Sequence, residues 1–219
     1  MIPAGDTQDL PPTPEPMEFE MTKIAIVLGS TRTGRAGAGV AQWVLHQARA
    51  RGDAEYTLID LVDVDLPQID EPVPPAAGRY AHPYTRQWAQ TIAGHDGYVI
   101  VTPEYNRSFP GVLKNALDRV YAEWNNKAAG IVSYGVDGGV RAAEALRPVL
   151  GALQLADVSH EVTLDLRTDF REFGATFTPA EHQTASLATM LDQLVSWSTA
   201  LATVRHGPVH APGGVTVQR

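Results

Sequence analysis

The sequence predicts an α/β fold, a three-layer sandwich with a five-stranded parallel sheet between helices. Three observations carry this expectation. Short runs rich in Val, Ile and Leu recur along the chain and stay apolar through consecutive positions, the pattern of strands covered on both faces. Segments with apolar residues at helical spacing lie between them. The two kinds of segment alternate, which builds a parallel sheet through right-handed crossovers with helices on both sides.

The elements follow in order. Lys23–Gly29 (KIAIVLG) is the first strand and Ser30–Arg35 a polar loop. Val40, Val44, Leu45 and Ala48 recur at helical spacing, with Trp43 beside them. Tyr56–Leu61 is the second strand, followed by a long, proline-rich connection from Val62 to His82. Its Asp63, Asp65, Asp70 and Glu71 read as solvated loop carboxylates rather than metal ligands. Pro83 suits the first turn of a helix reaching about His95. Gly97–Thr102 is the third strand, and a loop runs from Pro103 to Pro110. In Gly111–Tyr121, Val112, Leu113, Ala116, Leu117 and Val120 share one helix face. Ala128–Tyr134 is the fourth strand, Val140–Leu153 a helix and Val158–Leu166 the fifth strand. Pro179–Val204 closes the domain as a helix whose Leu187, Met190, Leu191, Leu194, Val195 and Leu201 face one way. Five such units suggest a flavodoxin-like sheet in the order 2-1-3-4-5.

Composition narrows the chemistry. The 219 residues include no cysteine, which excludes disulfides, a thiolate nucleophile, cysteine-bound zinc and iron–sulfur clusters. The net charge of −8 argues against a broad nucleic-acid surface. No run of about 18 apolar residues exists to span a membrane. Residues 1–20 hold Asp6, Asp9, Glu15, Glu18 and Glu20, no Lys or Arg, and five of the sixteen prolines. Without them the net charge falls to −3. They read as a disordered acidic leader without the basic start and apolar core of a secretory signal, so a cytoplasmic location is expected. Met17 or Met21 is the expected natural start. Residues 21–205 form the expected folded domain and 206–219 a flexible tail.

In such a sheet, ligands sit beyond the carboxyl ends of the strands, where the winding direction reverses. The loops after strands one, three and four therefore matter, and their sequences are unusual. Gly29-Ser30-Thr31-Arg32-Thr33-Gly34-Arg35 leads into a helix, where free backbone N–H groups and the dipole favour an anion. Its hydroxyls and the guanidinium forks of Arg32 and Arg35 suit phosphate oxygens. Gly29 and Gly34 have the spacing of a nucleotide P-loop, but Arg35-Ala36 stands where Lys and Ser/Thr are required, so triphosphate hydrolysis is not expected. A terminal phosphate monoester fits better. Pro103-Glu104-Tyr105-Asn106-Arg107-Ser108-Phe109-Pro110 offers flat aromatic faces and a stiff backbone. Ser133-Tyr134-Gly135-Val136-Asp137-Gly138-Gly139 lets backbone approach a planar group closely. The seven histidines show no metal-ligand or triad spacing, and G-x-S-x-G is absent.

The segments GSTRTGR at 29–35, TPEYNRSFPGVLKNALD at 102–118 and SYGVDGGVRAAEALR at 133–147 resemble the NADPH-dependent FMN reductases of the flavodoxin-like superfamily. That family includes bacterial flavin, quinone, azo-dye and chromate reductases. The resemblance covers about residues 22–200. It implies that Ser30, Arg32 and Arg35 hold the flavin phosphate. It implies further that Pro103, Glu104, Tyr105 and Asn106 border the isoalloxazine ring, and that Ser133, Tyr134, Gly135 and Gly138 take its other edge. FMN is the implied cofactor and NADPH, or NADH, the co-substrate. Hydride would pass from NAD(P)H to bound FMN and then to a small acceptor by ping-pong turnover. No catalytic side chain is expected, because the flavin carries the chemistry. The resemblance also implies a homodimer or homotetramer, packed across Val112–Tyr121 with Trp124. The departures are Arg107 and Phe109 in the ring loop, the two tails and the stretch from Arg167 to Thr178. Two other readings stay open at this point: a flavodoxin-like electron carrier without its own enzymatic activity, and a phosphate-handling hydrolase without flavin.

Overall fold

The computed structural model describes residues 21–172 and 176–206. The expectations for residues 1–20, including the start at Met17, and for 207–219 lie outside the described residues. The parallel sheet has the order β2-β1-β3-β4-β5. Its strands are β1 (Lys23–Leu28), β2 (Glu55–Asp60), β3 (Gly97–Pro103), β4 (Lys127–Gly135) and β5 (Leu155–Asp157), and β6 (Val162–Asp165) also pairs with β4. Helices α1 (Gly37–Arg51), α2 (Leu61–Val64), α3 (Pro83–Ala93), α4 (Gly111–Asp118), α5 (Val140–Ala152) and α6 (Glu181–His206) cover it. α6 runs through His206, so the helix extends into what reads from sequence as tail.

Period-two alternation divides the core. β1 sends Ile24, Ile26 and Leu28 to the side of α1 and α6, where they meet Val40, Val44, Met190 and Leu194. It sends Ala25 and Val27 to the other side, against Trp88 and Ile92 of α3, Leu113 and Leu117 of α4 and Leu146 of α5. Both faces of β1, β3 and β4 are buried, which explains why these strands read as continuous apolar runs.

Three expectations need correction. The fifth strand is broken. β5 continues the register of Lys127–Ala129, whereas β6 restarts opposite Val132–Gly135, so the four residues 158–161 span a stretch that β4 covers with two, Gly130 and Ile131. Arg147 of α5 holds the break by pairing with Asp157 on one side and Glu161 on the other. Second, Trp124 is buried in the protomer's own core. Its ring packs edge-on to Tyr98, with centroids 4.8 Å apart, and its indole N–H donates to the Leu117 carbonyl. It is not available to a second subunit, so of the expected contact helix the apolar surface left partly open is that of Val112 and Tyr121, beside the Lys114 and Asp118 side chains. Third, two of the loop carboxylates have structural work. The buried Arg119 donates to Asp70, Thr85 and the Pro67 carbonyl, and its guanidinium lies 5.3 Å from the Tyr84 ring centre. Glu71 accepts from the Ala81 and His82 amides. These contacts fasten the long connection to α3 and α4.

Candidate functional site

Because the strands are parallel, the segments after β1, β3, β4 and β6 emerge at one rim. They enclose a cleft of about 320 Å³, in the size range of ligand sites. Six of the eleven residues picked out from the sequence line it: Arg32, Pro103, Glu104, Tyr105, Tyr134 and Gly135.

The first loop stays next to the sheet, since the Gly29 amide donates to Val101 O at 2.9 Å. Ser30 is fully buried, and its hydroxyl lies 3.0 Å from that of Tyr105. Arg32 is exposed on the cleft, with only long contacts of 3.5 Å to the Thr33 and Gly34 carbonyls. Arg35 differs: it forms a salt bridge with Asp60 at the end of β2. The two arginines read alike from sequence, but among the described residues Arg32 has no partner beyond those long contacts, whereas Arg35 ties the loop to the edge strand and leaves only its buried Nε unpartnered. α1 begins at Gly37, and Ala36 before it supplies no side-chain cap to the first amides.

The second loop is a tight hairpin. Tyr105 and Ser108 exchange backbone hydrogen bonds of 2.8 and 3.1 Å, and Asn106 and Arg107 both take positive φ, at 50° and 68°. This is a type I′ pattern, for which Asn suits the first position and Arg is strained at the second. The turn carries Asn106 away from the cleft lining and leaves the Tyr105 ring partly exposed over it. Glu104 bridges loops. Its amide donates to Tyr134 O, while its carboxylate accepts from the backbone N–H and the guanidinium of Arg141 in the first turn of α5. A carboxylate there also complements the helix dipole.

The third loop is closed from within. The buried Ser133 hydroxyl donates to Gly138 O at 2.8 Å, so Ser133 shapes the loop and does not face the cleft. Gly138 and Gly139 both have positive φ, and a Cβ on Gly139 would fall 2.6 Å from Tyr134 N. Only glycine allows this turn. Tyr134 is buried, its ring tilted against Phe170 of β7 (Phe170–Arg171), and burial holds its phenol well above the usual tyrosine range.

Sequence reasoning missed Leu166 and Glu172, which complete the cleft from the segment after β6. No local pattern marks them. They arrive because Leu166 N bonds Gly135 O and because the buried Asp169 carboxylate gathers the amides of Asp165 and Ala180. Among the described residues no cluster of potential metal ligands forms.

The rim therefore combines an uncapped helix N-terminus and a free guanidinium at one end with an open aromatic face at the other. That arrangement fits a flat ring carrying an anionic tail. Residues 22–169 match the model of the NADPH-dependent FMN reductase family. The chain belongs to that family. It is 41% identical over 144 residues to an NAD(P)H-dependent FMN reductase of Schizosaccharomyces pombe, covering 65% of this chain and 72% of that one. It is 31% identical over 185 residues to a 2-hydroxy-1,4-benzoquinone reductase of a Burkholderia species, covering 80% and 95%. Among solved structures, the flavoenzyme FerB, an NAD(P)H:(acceptor) oxidoreductase from Paracoccus denitrificans, superimposes with a TM-score of 0.64 over 82% of this chain and 98% of its own, at 24% identity. That likeness speaks to the fold.

Proposed function

We propose that this reductase-family member is an FMN-dependent NAD(P)H oxidoreductase that reduces a small acceptor by ping-pong turnover. The observation that carries the reading is the cleft itself, where Arg32, the uncapped start of α1 and the Tyr105 ring converge at the carboxyl rim of the sheet. The residues fit FMN: a charged fork and free amides suit a phosphate, and a partly exposed phenol ring suits a planar heterocycle. Bound FMN supplies the two-electron chemistry, taking hydride from NAD(P)H and returning the electrons to the acceptor.

The chain's own residues bind and position. Arg32 and the first amides of α1 hold the phosphate. Pro103 and Gly135 bring rigid backbone to the ring, and Glu104 locks their two loops together through Arg141. Tyr105 borders the ring and, through Ser30, couples the ring loop to the phosphate loop. One side of the cleft is open, so nicotinamide and acceptor would use the same face in turn. Among the described residues no helix is long and apolar enough to cross a membrane. Self-association remains part of the proposal, with the surface of Val112 and Tyr121 available to it.

The test is the visible spectrum of the purified protein, before and after anaerobic NADPH or NADH. Flavin absorbance that bleaches on adding nicotinamide alone supports the oxidoreductase. Bleaching only through a partner reductase would make it an electron carrier, and failure to take up added FMN would refute the reading.

A further inference from the structure

We propose that the Tyr134 hydroxyl is a ligand of the FMN phosphate at the N-terminus of α1, and that it makes the site select the phosphorylated flavin over riboflavin. The inference rests on the flavin reading above and revises the place the family resemblance gives Tyr134, at the ring edge.

Three observations carry it. The Tyr134 side chain enters from the end of β4 and is 5% exposed, yet its hydroxyl makes no hydrogen bond of normal geometry among the described residues, with the Gly37 amide and the Ser30 hydroxyl beside it. A buried hydroxyl without a partner is costly and uncommon in a native protein unless a ligand supplies the missing bond. Second, that hydroxyl lies at loop one. A Cβ on Gly37, the first residue of α1, would fall 2.4 Å from it. Gly37 is therefore the residue that admits the hydroxyl beside the first turn of the helix. Third, the α1 dipole and the missing side-chain cap make that turn favourable to an anion, which the Tyr134 hydroxyl would help to hold. Ser30 and Arg32 are close enough to act on the same oxygen. Burial keeps the phenol protonated, so it can only strengthen an anion's binding by donating. The ring is committed elsewhere, its centre 6.1 Å from that of Phe170.

The experiment compares wild type with Tyr134→Phe, each stripped of flavin and titrated with FMN and with riboflavin by fluorescence quenching. The variant should bind FMN about tenfold more weakly, the loss expected for one hydrogen bond to a charged group, and riboflavin within about twofold of wild type. Its apoprotein should melt at a higher temperature, because an unsatisfied hydroxyl has been removed. The phosphorus resonance of bound FMN should move in the variant. Gly37→Ala, which places a methyl group where the hydroxyl sits, should show the same selective loss of FMN. Equal weakening toward both flavins would return Tyr134 to the ring and overturn the proposal, as would unchanged affinity for both. Competition by NADP+ that depends on Tyr134 would assign the contact to the nicotinamide coenzyme and also overturn it. Wild type that fails to bind FMN would sink the flavin reading itself, an outcome distinct from wild type and variant binding it equally.

Discussion

Asp169→Asn should destabilise this protein far more than its near-identical shape suggests. The Asp169 carboxylate is 1% exposed and accepts on both oxygens. One oxygen takes the Ala180 amide at 2.9 Å. The other takes the Asp165 amide at 2.9 Å, the Thr168 hydroxyl at 3.2 Å and the Gln183 side-chain amide at 3.3 Å. Asparagine must turn an NH2 group toward one of these sets, and each contains a backbone N–H that cannot accept. In either orientation a buried donor is stranded opposite another. Each unsatisfied buried group costs about 1–3 kcal/mol, so a loss of about 2–4 kcal/mol is expected. For a domain of this size that lowers the melting temperature by about 5–15 °C. Because Asp169 gathers the segment that carries Phe170 and Glu172, FMN affinity should fall as well. Urea unfolding of the apoprotein reads the effect as a lower midpoint at constant slope. A loss below about 0.5 kcal/mol would show that the amide finds acceptors the geometry does not offer.

Three further outcomes follow from the same contacts. Arg32→Ala should weaken FMN binding about ten- to a hundredfold, while Arg35→Ala, whose partner is Asp60, should leave affinity within about threefold and lower stability instead; dialysis retention and melting curves separate the two, and the reverse pattern would refute the assignment. Gly139→Ala forces a side chain into positive φ and against Tyr134 N, and should lose about 2–4 kcal/mol in denaturant titrations. Lys127, buried with its ammonium donating to Ile92 O, Ala93 O and Tyr98 Oη, is pushed down to about 8 by desolvation. The unfolded chain keeps that proton up to about 10.5, so stability should rise with pH between 8 and 10 by about 1–3 kcal/mol, and Lys127→Met should flatten the rise. The window closes above pH 10, because burial also raises the Tyr98 phenol and its eventual ionisation opposes folding.

Much of the architecture was legible locally. Apolar runs such as Lys23–Leu28 and Gly97–Pro103 are dry on both faces and so carry their burial in their composition. The paired positive-φ glycines at 138 and 139 mark a turn that no other residue makes easily. The break in the fifth strand was not legible, because Val158 and Val162 are equally apolar and the break is held by Arg147 from a different helix. The site divides in the same way. Arg32 and Tyr105 were found because loop composition shows what chemistry a rim can offer. Ser133, placed at the ring edge by the family resemblance, and Arg35, read as a phosphate fork from loop composition, have Gly138 O and Asp60 as partners that no local pattern announces.

By itself the sequence determined the strand and helix pattern, hence the parallel sheet, the rim where ligands gather and the kind of ligand those loops suit. Only the tertiary structure decided which side chains still have a free valence to offer. Backbone conformation and the alternation of apolar positions are written in near neighbours along the chain, whereas a hydrogen bond or salt bridge falls off within an ångström or two. Which of two identical guanidinium groups faces the cleft thus depends on where a carboxylate 25 residues away happens to stand.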